Sequence, residues 1–405
     1  MKFRVLLGLI VAVSLVWAGA DGQRYVPGAV QLDSQGDAWA QKTLAKLTLE
    51  QKIGQMFVVL GRAQFLNAEG AEYLRLRDII RKYHIGAIGL TVPVDSGFLQ
   101  KSMPYEAAML TNQLQRESEL PLLFGADFEY GLTMRITGAT AFPYPMAFGA
   151  AGNVAHAEAF GRIVAEESRA IGIHWNWFPN ADVNSNPRNP IINTRSFGED
   201  PNQVSEMVAA YIRGAHQGGM LTTAKHFPGH GDTSTDTHLG FASVDGDQAR
   251  LAAVELPPFR AAIRAGVDAV MTAHVTVPAL EQDPEQVAST SRRIVTGLLQ
   301  EEMGFQGLVV TDSLDMNGLM RVFQSGSQSG QSGSGTPSGR AVVASVKAGN
   351  DILLFPQNLE DAYNGLLQAV RRGEIPESRI NVSVLKILRA KASLQLHKSR
   401  LVDFE

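Results

Sequence analysis

The sequence predicts a (β/α)8 barrel of the TIM type, and three observations carry that prediction. Short apolar runs recur eight times, at 54–60, 85–90, 120–126, 172–178, 220–224, 269–272, 307–311 and 351–355. Most are separated by segments with helical spacing, the alternation that parallel strands with helical crossovers require. Five strand ends carry titratable groups, at Asp127, Asp182, Lys225-His226, His274 and Asp312, and a barrel gathers such ends at one mouth. An open doubly wound sheet is the competing architecture. No G-x-G-x-x-G follows the first run, which weakens its dinucleotide-binding form.

The elements follow in order. Lys2 and Arg4 precede an almost wholly apolar run at 5–17, then Ala18-Gly19-Ala20 and the polar Asp21-Gly22-Gln23-Arg24. This is the pattern of a signal peptide over residues 1–20. The run is short for a membrane span, although an uncleaved anchor is the other reading. Export to the periplasm or medium, without stable membrane insertion, is the expectation. Helical crossovers are expected at 154–171, 203–217, 247–265, 291–302 and 340–348. Residues 325–339, SGSQSGQSGSGTPSG, are low-complexity, and the expectation is a flexible loop after the seventh run, in a place from which it could overhang the mouth. Beyond Pro356 the pattern allows one or two helices, including 384–395, and a polar tail. That is too little for a second domain of ordinary size, so residues 21–405 read as one barrel domain with a short helical tail, expected to be a monomer.

Composition narrows the function classes. Of 405 residues, 45% are hydrophobic and 19% charged, the values of a globular chain rather than a disordered one. A net charge of −4 gives no electrostatic reason to expect a nucleic-acid partner. Without cysteine, disulfides, thiolate zinc sites, iron–sulfur clusters and cysteine nucleophiles are excluded.

The segment from Lys225 to His238, KHFPGHGDTSTDTH, packs three of the nine histidines, two aspartates and a lysine into a Gly- and Pro-punctuated loop after the fifth run. Histidine titrates near neutrality and adjacent carboxylates tune it. Asp236 and His238 form a D-x-H pair suited to acid–base chemistry, with a surface-loop histidine as the plain alternative. His226, His230 and His238 with Asp232 or Asp236 raise the question of a metal, but their spacings do not match the usual zinc signatures; no metal and no cofactor are expected.

Asp312, in GLVVTDSLDM, suits a nucleophile, a base, a metal ligand or a helix N-cap, and local sequence alone favours the cap. Asp315 shares the ambiguity and reads as the more structural of the two. Asp127 and Arg135, in DFEYGLTMR, and Arg195, in NTRSFGEDP, suit the gripping of hydroxyls or an anion, or plain ion pairs. Trp175, Trp177 and Phe178 read as core before they read as a sugar-stacking face.

Three blocks, IHWNWFPNADVNSNPRNPIINTRSFGEDP from Ile173, AKHFPGHGDTSTDTH from Ala224 and GLVVTDSLDM from Gly307, resemble glycoside hydrolase family 3. The single-domain bacterial β-N-acetylglucosaminidase branch is the most similar, and the resemblance spans about residues 40–360. It implies that Asp312 is the nucleophile and His238 a mobile-loop acid/base partnered by Asp236. It further implies that Asp127, Arg135, Arg195, Lys225 and His226 hold the sugar in the subsite next to the cleaved bond. The β-glucosidase branch takes a carboxylic acid from a second domain instead. One departure stands out. The family often has D-Q-E-G-G where this chain has Asp127-Phe128-Glu129-Tyr130-Gly131.

The implied reaction is retaining hydrolysis of terminal β-linked N-acetylglucosamine from cell-wall or chitin-type fragments, with a carbohydrate as the partner. A neutral histidine beside an anionic intermediate suffers less charge repulsion than a carboxylate would. That logic leaves phosphorolysis open beside hydrolysis. A β-glucosidase of the same family and a non-catalytic sugar-binding barrel are the further alternatives.

Overall fold

The computed structural model describes residues 32–235, 242–283, 286–324 and 335–404. The leader at 1–20, the Asp236–His238 pair and most of the Gly/Ser segment lie outside the described residues. The expected barrel is present. Its strands are β1 Phe57–Arg62, β2 Ala87–Thr91, β3 Leu123–Ala126, β4 Trp175–Asn176, β5 Leu221–Phe227, β6 Ala269–Thr272, β7 Leu308–Thr311 and β8 Leu353–Leu354. All neighbouring pairs are parallel, in chain order from β1 to β7, with β8 beside β1. Closure falls between β7 and β8, where Thr311 N donates to Ile352 O at 3.0 Å and Ile352 N to Val309 O at 3.0 Å.

Strand and helix patterns explain one another. β3, β5, β6 and β7 are buried along their whole length, as expected when helices cover a parallel sheet outside and side chains fill it inside. Helix Pro201–Gln217 shows how the cover forms. Asp200 caps it by accepting from Asn202 N, and Val204, Met207, Val208, Tyr211, Ile212 and Ala215 make its buried stripe, the spacing of one helix face. The expected crossover at 247–265 is helical from Gln248 to Arg264, with one wider turn at Leu251–Glu255. Two strands are shorter than the sequence predicts: β4 and β8 keep two paired residues each. The apolar runs there continue as buried non-strand chain, which patterning cannot separate from strand.

Two glycines shape the interior. A Cβ at Gly89 would lie 2.3 Å from the Phe355 ring and one at Gly125 2.7 Å from Trp177. Their absence lets Trp177 and Phe355 meet edge to face, with centroids 5.5 Å apart, as a plug beneath the mouth. At the opposite end, helix Glu377–Ser393 packs on helices Ser34–Leu44 and Leu49–Gln55. The tail is therefore part of the barrel's cover. Among the described residues no helix is long and apolar enough to cross a membrane.

Candidate active site

Asp182 and His274 are buried outside the lining, but the other three polar strand ends, Asp127, Lys225-His226 and Asp312, converge on one cleft of about 460 Å³ at the C-terminal mouth. It is lined by Asp127, Arg135, Arg195, Lys225, His226 and Asp312, with Glu129, His230 and Trp177. Six of the eight predicted site residues are thus brought together. The other two, Asp236 and His238, lie outside the described residues.

Glu129 organises one wall. Arg195 grips it with two parallel hydrogen bonds, Nε to Oε2 and Nη2 to Oε1, both 2.7 Å. Lys225 Nζ lies 2.8 Å from Glu129 Oε1 and 2.8 Å from Asp127 Oδ1. Burial pushes the Glu129 carboxyl up, but the Arg195 and Lys225 charges outweigh it and hold the group well below the usual carboxylate range. Burial likewise presses Lys225 down, and the Asp127 and Glu129 charges reverse it, so the ammonium is retained. The planar fork makes Arg195–Glu129 the directional pair, and Lys225 acts as a point charge between two carboxylates.

A second buried carboxylate, Asp182, organises the turn after β5. It accepts His226 Nδ1 at 2.8 Å, His226 N at 3.1 Å and His230 N at 2.7 Å. The Nδ1 proton is therefore directed at Asp182, which leaves Nε2 as the other face of the His226 ring. His230 Nδ1 lies 2.6 Å from Thr233 Oγ1, and Asn189 Nδ2 donates to His230 O at 2.8 Å. Burial and the neighbouring His226 push the His230 imidazole down to about 4, against the pull of Asp182. The turn packs so closely that a Cβ at Gly231 would fall 1.7 Å from Val183 O; only glycine fits there.

Asp312 follows β7 directly and is partly exposed at the cleft. Its backbone N donates to Thr272 O at 3.0 Å, and its Oδ1 accepts from Ser313 N at 2.7 Å. Burial raises its pKa, but His226, His274, the Ser313 amide and Lys225 together bring it below the ordinary value, so the carboxylate is ionised at neutral pH. The helix-cap reading fails on geometry, because the next helix starts at Asn317, five positions on. Asp315 is exposed and accepts from Ser313 Oγ at 2.6 Å, a structural contact as the sequence suggested.

His274 secures the same turn from below, with Nε2 3.0 Å from Ser313 O and Nδ1 2.7 Å from Ser289 Oγ. Burial pushes its pKa down despite the opposing Asp312 charge. A carbonyl only accepts, so the neutral ring carries its proton on Nε2 and Nδ1 accepts from Ser289.

Trp177 is 2% exposed, as a core residue should be, yet its edge also reaches the cleft. Trp177 Nε1 and Arg135 Nε are buried donors without a partner among the described residues. Glu129, Asp182 and His274 were not among the predicted site residues. Asp182 and His274 were visible as polar strand ends; Glu129, beyond the end of β3, was visible only as the glutamate kept from the family's D-Q-E-G-G pattern.

Fold and site define a (β/α)8 barrel whose mouth carries an ionised carboxylate, Asp312, in one cleft with the Arg195–Glu129–Lys225–Asp127 ion-pair network. The chain belongs to glycosyl hydrolase family 3: the profile of that family's N-terminal domain matches residues 48–390. It is 33% identical over 380 residues to a β-N-acetylglucosaminidase/β-glucosidase of Cellulomonas fimi, covering 91% of this chain and 61% of that protein. Among solved structures, it resembles a family 3 β-N-acetylglucosaminidase from Paenibacillus sp. with a TM-score of 0.77 and 35% identity, over 89% of this chain and 65% of that one. A β-N-acetylhexosaminidase from Beutenbergia cavernae matches with a TM-score of 0.72 and 26% identity, over 86% of this chain and 99% of that one. The chain therefore spans under two thirds of the first two relatives and nearly all of the third.

Proposed function

We propose that this protein is a retaining exo-β-N-acetylglucosaminidase. The observation that carries the reading is the ionised Asp312 carboxylate facing the cleft that Lys225, Arg195, Asp127 and His226 line. In this reading Asp312 attacks the anomeric carbon and the glycosidic C–O bond breaks, giving a covalent glycosyl-enzyme. His238, oriented by Asp236, protonates the leaving oxygen and then takes a proton from the attacking water. Asp127, Lys225, Arg195 and His226 bind the sugar hydroxyls, and Arg135 Nε and Trp177 Nε1 supply two further donors. The names of the relatives support the sugar and the reaction type. The pattern at residues 1–20 supports export, and with it a role on cell-wall or chitin-type fragments.

The test is release of p-nitrophenol from its β-N-acetylglucosaminide by wild type, Asp312→Asn and His238→Ala. The reading expects wild-type turnover, lost by about 10³-fold or more in Asp312→Asn. Turnover of the β-glucoside alone would reject the sugar assignment. Stimulation by added phosphate would replace hydrolysis with phosphorolysis.

A further inference from the structure

Behind the histidine-rich turn lies a charged cluster that the proposed mechanism leaves unused. Arg250 Nη2 stands 3.2 Å from Asp232 Oδ1, 3.2 Å from Glu255 Oε1 and 3.1 Å from Ser185 Oγ. The three oxygens come from three places. Ser185 belongs to the chain after β4, Asp232 to the chain after β5, and Glu255 to the helical crossover that follows. The Glu255 side chain is 3% exposed, and its Oε2 is buried with no hydrogen-bond partner among the described residues. Burial pushes its carboxyl up against the pull of Arg250. One guanidinium thus serves two carboxylates and joins three segments.

The backbone explains why these groups meet. Pro257 and Pro258 lack the N–H groups that an α-helix aims at the carbonyls of Ala253 and Val254. The helix widens over Leu251–Glu255, just before them. Such a turn bonds residues five apart, and Arg250 and Glu255 are five apart. Glu255 in turn packs against Gly229: a Cβ there would lie 2.7 Å from Glu255 Cγ, and φ is 134°. Gly229 and Asp232 lead into Asp236 and His238, and Arg250 follows them on the far side. The Arg250–Asp232 pair therefore ties the two ends of residues 232–250 together. Holding both ends of a segment narrows the conformations open to its middle.

The geometry points to Arg250 as a positioning residue for the acid/base step, holding the stem of the segment that carries Asp236 and His238. This rests on the proposed mechanism. A methoxide leaving group needs a proton from the acid, whereas p-nitrophenolate leaves almost without one. The test compares kcat/KM on methyl and on p-nitrophenyl β-N-acetylglucosaminide for Arg250→Ala, Arg250→Lys and Asp232→Asn, each checked by a thermal melt. Arg250→Ala and Asp232→Asn are expected to lose about tenfold on the methyl glycoside and to stay within about threefold on the p-nitrophenyl glycoside, with Arg250→Lys between the alanine variant and wild type. Equal losses on both substrates, or no loss on either, would overturn the positioning role and leave the activity standing. Should Arg250→Ala not fold, Asp232→Asn, which keeps the shape of the side chain, decides the question. If wild type turns over neither glycoside, the activity itself fails and the role of Arg250 falls with it.

Discussion

His226 Nδ1 lies 2.8 Å from Asp182 Oδ2, and the same carboxylate accepts the backbone N–H of both His226 and His230. One buried anion fixes both the ring and the turn that begins the histidine-rich loop. Burial raises Asp182, the His226 charge lowers it, and the lowering prevails. In Asp182→Asn the amide oxygen still accepts a backbone N–H, but the NH2 group meets a nitrogen that was a donor. The ring must change tautomer or turn, so kcat/KM should fall on the order of 10²-fold. Steady-state kinetics beside a thermal melt would separate that loss from unfolding.

Glu129→Gln leaves Arg195 and Lys225 without their shared counter-charge. Lys225 and Glu129 side chains are only 3% and 5% exposed. Breaking such a pair from one side costs about 3 kcal/mol or more. The variant should melt lower than wild type and bind a monosaccharide product weakly by calorimetry, whereas Glu129→Asp should recover part of both losses.

His274 touches the Asp312–Ser313 turn through the Ser313 carbonyl and does not line the cleft. In the proposed mechanism it would position Asp312 rather than touch the sugar. His274→Ala should therefore lower kcat by about tenfold and leave KM nearly unchanged. A change confined to KM would contradict this role.

Lys391 is fully buried, with Nζ 2.6 Å from Gln55 Oε1, and burial pushes its pKa down to about 7. An unfolded lysine titrates near 10.4, roughly. Between the two values the unfolded chain binds the extra proton, so this group makes stability rise with pH across that window. Below about 7 the lysine is charged in both states and the full burial cost persists. Lys391→Met should thus stabilise most below that pH, with an advantage that shrinks toward pH ~10. Denaturant melts of both proteins at several pH values would show whether the difference follows this slope.

Much of the barrel was legible because a parallel strand buried on both faces must be apolar along its length and must end where polar groups emerge. Asp127, Lys225, His226 and Asp312 were visible for that reason. The Glu129 clamp was not, because its partners Arg195 and Lys225 come from the β4 and β5 segments, and a long-range ion pair leaves no local period. The closeness of Trp177 and Phe355 was also hidden, since it depends on missing side chains at Gly89 and Gly125 on two other strands.

The proposed mechanism requires Asp312 to become covalently bonded to the sugar. The most direct measurement is mass spectrometry of His238→Ala, quenched during turnover of the p-nitrophenyl β-N-acetylglucosaminide. Its activated leaving group needs little acid catalysis, while loss of the base slows breakdown of the intermediate. The expected species is a protein heavier by one N-acetylhexosamine residue, with the added mass mapping to the peptide that contains Asp312. An adduct on another residue, or steady turnover with no adduct and inversion at the anomeric carbon, would contradict it.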